Sequence, residues 1–206
     1  MLPSFLLDLY CGKLVFAPFF AAVSFGVFII AHLDLIKSLR PFLGPANWVT
    51  FCRLLGVFWL TGNFSIVSEY TIAGVAFMVI LLDGLDGYLA RRTNSATEFG
   101  AFFDMETDAF FCATMAFAIF SLHPQYYWLL FPGLLRYFYV VLVKSLKMNL
   151  KKEKGHRLGK YFAVFFFFAL ITPFFMEKEF CEPILLLSSA FIVFSFSYSF
   201  WHLLKG

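Results

Sequence analysis

The sequence predicts an all-α, polytopic membrane helix bundle: a six-helix core plus one extra N-terminal transmembrane helix. Three observations predict it. Hydrophobic residues make up 61% of the 206 residues and charged residues only 14%, where a soluble domain carries about a quarter; mean hydropathy is +0.82. Apolar stretches long enough for a bilayer run roughly over 14–33, 47–66, 70–90, 100–122, 126–147, 159–176 and 184–204,. Lys and Arg cluster in alternate connections, as membrane orientation requires.

The first stretch, Leu14 to Leu33, contains no Asp, Glu, Lys or Arg. Asp8 comes early and no basic segment precedes the stretch, so it reads as a retained helix and not a cleaved signal,. The 47–66 span starts just after Pro45, which suits a helical first turn,. It ends at the turn residues Thr61-Gly62-Asn63, and His123-Pro124-Gln125 and Glu182-Pro183 mark later connections,. The 126–147 span carries Arg136 in its middle. Such an Arg belongs against the bundle interior or a wet cavity. Phe165 to Phe168, from a chain with 32 Phe, is a lipid-compatible run. The whole chain, 1–206, is expected to be a single membrane domain, with 14–33 as the extra helix and 47–204 as the core.

Lys37, Arg40, Arg91, Arg92, Lys147, Lys151, Lys152, Lys154, Arg157 and Lys205 fall on one side if the spans alternate, against Lys13 and Lys178 on the other. The positive side is expected to be cytoplasmic and the N-terminus outside. Cys11, Cys52, Cys112 and Cys181 have no metal-type spacing,. They read as isolated apolar residues; Cys11 and Cys181 share the outer face in this topology, which leaves a disulfide open. The histidines share no spacing and no nucleophile triad is present. A net charge of +3 gives no reason to expect a nucleic-acid partner.

Four carboxylates stand out. Asp83 and Asp86 end the third span; Asp104 and Asp108 begin the fourth. Carboxylates at membrane depth are costly, so they mark function by default. Asp83, Asp86, Gly87 and Ala90 share one helix face, as do Gly100, Asp104 and Asp108. Two such faces meeting would form an oxygen cage suited to Mg²⁺ or Mn²⁺. Glu106 points elsewhere by the same count. The small Gly87 and Ala90 leave room for a bulky group near the backbone.

The run D-x2-D-G-x2-A-R-x8-G-x3-D-x3-D, from Asp83 to Asp108, resembles the signature of the CDP-alcohol phosphatidyltransferase family, with every gap intact. The span layout is similar over most of the chain. Asn47-x2-Thr50-x2-Arg53 resembles the stretch that opens the family's first core helix. The resemblance implies Asp83, Asp86, Asp104 and Asp108 as ligands of two Mg²⁺ or Mn²⁺ ions, with Asp108 taking the proton of the alcohol. It implies Asn47, Thr50, Gly87, Ala90, Arg91 and Gly100 around the nucleotide donor, and Arg136, Arg157 and Lys160 around the acceptor or its phosphate. The implied reaction moves a phosphatidyl group from CDP-diacylglycerol to a polar alcohol and releases CMP. The acceptor stays open between glycerol 3-phosphate, an inositol phosphate and others. Ala109 stands where phosphatidylglycerophosphate synthases have Lys, which weighs against that assignment. Transfer of a headgroup from a CDP-alcohol to diacylglycerol also stays open. An intramembrane prenyltransferase and a cation-coupled transporter are more distant readings. The resemblance implies an enzyme of a bacterial inner membrane, its site facing the cytoplasm, among membrane lipids and as a homodimer.

Overall fold

The computed structural model describes residues 45–93, 98–146 and 157–205; the side chains of 45–46, 86–93, 98–99, 144, 157 and 203–205 fall outside that description. The 14–33 helix and both Cys11 and the early Asp8 also lie outside the described residues. Among the described residues every regular element is helical. Helices occupy each of the six later predicted spans: α1 (Pro45–Asn63), α2 (Glu69–Thr93), α3 (Glu98–Leu122), the short α4 (Leu130–Gly133) with α5 (Leu135–Ser145), α6 (Arg157–Ala169) and α7 (Lys178–Lys205). Gly100–Leu122, Pro124–Val143 and Lys178–His202 are each long and apolar enough to cross a membrane, and Leu158–Phe174 is a shorter apolar segment.

The chain divides into two compact units, 1–111 and 112–206, with α3 running through the boundary. In the first, α1 and α2 are joined by a tight connection in which Phe64, Ile66 and Val67 donate backbone hydrogen bonds to Leu60 and Asn63. Ser68 precedes α2, and its Oγ accepts from the Thr71 amide at 3.3 Å, satisfying one amide that a helix start leaves over. Leu54, Val57, Leu60 and Phe64 bury one stripe of α1; Ile72, Ala76, Val79 and Ile80 bury one of α2. Both stripes have the three- and four-residue steps of a helix face. Gly56 lets the helices close: a Cβ there would sit 3.0 Å from Val79 Cγ2. Phe58 packs on Phe110 of α3 with ring centroids 5.2 Å apart.

In the second unit α6 and α7 pack through aromatic stacking, with Phe162 and Phe191 ring centroids 4.9 Å apart and nearly parallel. Tyr139 of α5 meets Phe196 of α7 edge-on at 5.3 Å. The predicted 126–147 span is not one continuous helix. A 3-10 turn over Pro124–Leu129 precedes α4, and Leu134, at φ −99° and ψ 2°, separates α4 from α5. Pro132, without an amide hydrogen, weakens the helix just before that break. The predicted turn at Glu182-Pro183 is also corrected, because α7 starts earlier and carries Pro183 inside it. Only one backbone bond is lost there, near the helix start, and the apolar run beyond is long enough to hold the helix. Of the possible Cys11–Cys181 pair, Cys11 lies outside the described residues; Cys181 is buried, with its Sγ 3.0 Å from the Tyr126 hydroxyl.

Gly133 is the tightest glycine of this unit. A Cβ there would collide with Ala116 Cβ and come within 3.1 Å of the Cys112 carbonyl oxygen. Gly133→Ala is expected to cost about 1–3 kcal/mol through overpacking. Gly74, exposed on α2, has nothing within 4 Å of the place an added methyl group would take. It should instead tolerate Ala or gain roughly 0.5–1 kcal/mol from reduced chain freedom. Thermal unfolding of both variants in detergent checks the contrast.

Candidate active site

The buried stripe of α1 changes character along its length. From Leu54 onward it is largely apolar, but its first members are Asn47, Thr50 and Arg53, all buried. A helix hides polar side chains only where they meet partners. For Arg53 those partners are carboxylates on the next two helices. Its Nη2 lies 2.9 Å from Asp83 Oδ1 of α2 and also donates to Asp108 Oδ1 of α3. Its Nη1 donates to Asp104 Oδ1 at 2.5 Å. One guanidinium therefore ties three helices together in the first unit.

The exposures are unequal in an informative way. The Arg53 side chain is 1% exposed, while those of Asp83, Asp104 and Asp108 are 24%, 36% and 28% exposed. The cation lies on the protein side and the acids keep an open edge. Thr107, fully buried between Asp104 and Asp108 in sequence, returns its hydroxyl to the Phe103 carbonyl at 2.8 Å. It thereby stays within its own helix and leaves the carboxylates to Arg53.

Ligand oxygens of Asp83, Asp104 and Asp108 lie within 4.8 Å of one another. Two unit charges at that distance repel by roughly 3 kcal/mol at an effective dielectric of about 20, and solvent at the open edge reduces this. The donor set is acceptor-only oxygen, the preference of Mg²⁺ and Mn²⁺, and the cluster already draws a cation to itself. The residues therefore fit a divalent ion. Glu106 is not part of the cluster, in line with the helix count.

The remaining expected residues fall in three groups. Asn47 and Thr50 are buried on the same α1 stripe as Arg53, and Gly100 lies one turn before Asp104 on α3. Asp86, Gly87, Ala90 and Arg91 lie within helix α2, with side chains outside the described set. Arg136, half-buried at the second position of α5, and Lys160, exposed on α6, belong to the second unit; Arg157 opens α6, its side chain outside the described set. Arg53 is the residue to which sequence reasoning gave no role. The available signals were its place inside the 47–66 span, as for Arg136, and its place at the end of the Asn47-x2-Thr50-x2-Arg53 run.

The family model for CDP-alcohol phosphatidyltransferase matches residues 44–201, all but the ends of the chain. This chain belongs to that family. It is 33% identical over 134 residues to an uncharacterized protein of Aquifex aeolicus, covering 62% of this chain and 66% of that one. It is 35% identical over 89 residues to a CDP-diacylglycerol–inositol 3-phosphatidyltransferase of Candida albicans, covering 41% of this chain and 36% of the fungal one. The matched region thus spans about a third to two thirds of these relatives' own lengths. No solved structure matches the chain. Family membership and the three apolar helices make it an integral membrane protein.

At this spacing the three acids of the cluster repel one another,. Asp83→Asn keeps an oxygen for Arg53 to donate to and removes one repelling charge. In EDTA the variant is expected to unfold at the wild-type temperature or above it, while its Mn²⁺ affinity falls about tenfold or more. Melting curves and Mn²⁺ titration check the opposite signs.

Proposed function

We propose that this protein transfers a phosphatidyl group from CDP-diacylglycerol to a hydroxyl of a polar alcohol, releasing CMP. The observation that carries the reading is the convergence of Asp83, Asp104 and Asp108 from two helices at one half-open place, inside the region that the family model matches. A lipid donor requires access from the bilayer and a polar acceptor requires access from water; carboxylates near helix ends meet both needs. The excess of positive charge on the same side of the chain supports a cytoplasmic placement of the site.

Phosphoryl transfer depends mainly on positioning and charge stabilisation. Asp83, Asp104 and Asp108, with Asp86, would hold Mg²⁺ or Mn²⁺. An ion held by these carboxylates would supply positive charge for the donor diphosphate and for the departing CMP. Asp108 accepts the acceptor's hydroxyl proton on the carboxylate oxygen that Arg53 does not hold. The acceptor oxygen bonds to the lipid-bearing phosphorus, and the bond to the CMP oxygen breaks with its electron pair leaving on CMP. Asn47 and Thr50, buried one turn apart beside Arg53, offer polar groups to the nucleotide, and the small Gly87 and Ala90 give it room.

The acceptor we favour is an inositol phosphate. The name of the fungal relative supplies inositol, and Arg136, Arg157 and Lys160 supply cations for a phosphate-bearing acceptor. The site is expected in a homodimer among membrane lipids.

CMP release from CDP-diacylglycerol by protein in detergent with Mg²⁺ or Mn²⁺ tests the reaction. Inositol phosphate, inositol, glycerol 3-phosphate and serine would be supplied one at a time. Asp108→Asn is expected to lower turnover by about a thousandfold or more while nucleotide binding persists; a normal rate removes Asp108 as base. Arg136→Ala is expected to raise KM for the acceptor about tenfold and leave that for the CDP-lipid nearly unchanged. The reverse ordering places Arg136 at the donor. If folded protein releases CMP with none of these acceptors, attention turns to CDP-alcohol donors and diacylglycerol.

A further inference from the structure

Arg53 has no part in the transfer chemistry set out above, yet among the described residues it is the one charged side chain that is buried. It grips Oδ1 of each of the three acids that would hold the metal. Two properties keep it there. A guanidinium does not lose its charge in a protein. Its helix is also pinned, since α1 closes on α2 at Gly56 and Val79 and packs on α3 through Phe58 and Phe110. A divalent ion approaching from the open edge therefore meets carboxylates that already share a fixed positive charge.

We propose that Arg53 is the resident counter-ion of the metal-free site, holding the three carboxylates together without metal and opposing divalent cations that bind the same acids. This rests on the metal-assisted reading above. Against this fixed positive charge a divalent ion alone binds weakly, and an anionic diphosphate offsets the charge of the arginine and the ion together. Metal and donor then bind with positive coupling, each raising the other's affinity equally. Arg53 acts as a positioning residue through the carboxylates.

Mn²⁺ binding, followed by the spectroscopic signal of the free ion, and melting in EDTA would be measured on wild type, Arg53→Met and Arg53→Lys. CDP serves as the soluble diphosphate probe. Wild type is expected to bind Mn²⁺ about tenfold or more tighter with CDP present than without it. Arg53→Met is expected to bind Mn²⁺ alone about tenfold or more tighter than wild type. In EDTA it should melt about 5 °C or more lower, with Mn²⁺ restoring it. Arg53→Lys keeps the charge but loses the three-way grip, and should fall between the two. If Arg53→Met does not accumulate, Arg53→Lys carries the test: an EDTA melting point equal to wild type, or one that Mn²⁺ does not raise, overturns the proposal. Equal or weaker Mn²⁺ binding by folded Arg53→Met overturns the competition alone. Absence of Mn²⁺ binding in all three proteins overturns the metal-assisted transfer and the competition with it.

Discussion

The contact between Arg53 and the carboxylates of Asp83, Asp104 and Asp108 is the constraint from which the first unit follows. Charges this far inside an apolar protein persist only in company. To supply it, α1, α2 and α3 must approach within the reach of one arginine side chain. Gly56 gives α1 and α2 that closeness, and Phe58 against Phe110 fixes α1 on α3. The apolar packing thus holds in register a set of charges that would otherwise drive the helices to solvate separately.

The same contact explains why the site is polarised. The cation is enclosed and the acids are partly open, so negative charge faces whatever enters. The cluster lies inside the region over which family membership is established, residues 44–201. The buried Asn47 and Thr50 continue the polar stripe on which Arg53 lies, extending it toward the start of α1.

Much of this was legible in the sequence. Spacing alone placed Asp104 and Asp108 on one face and excluded Glu106, because a helix repeats every 3.6 residues. Hydropathy located the six described spans. What stayed hidden depends on partners far along the chain. Arg53 lies 51 residues from Asp104 and 55 from Asp108, and no local pattern links them. Asn47 and Thr50 stand out as polar residues at a helix start, whereas nothing near Arg53 in sequence assigns it a partner. The break at Leu134 stayed hidden for a different reason: hydropathy averages over a window and does not register a single residue leaving helical geometry. Pro183 misleads in the opposite sense, since a proline near a helix start is compatible with continuing the helix,.

The buried arginine also bears on how the protein is made. Chain synthesis runs from the N-terminus, so α1 emerges with Arg53 near its middle before α2 and α3 exist. An uncompensated arginine at the centre of a membrane helix opposes insertion by roughly 2.5–3.5 kcal/mol. The acids that relieve it arrive only with the next two helices. Until then α1 carries that cost without a counter-charge from either helix. The order of translation thus leaves the cost of Arg53 unrelieved until α2 and α3 have been made.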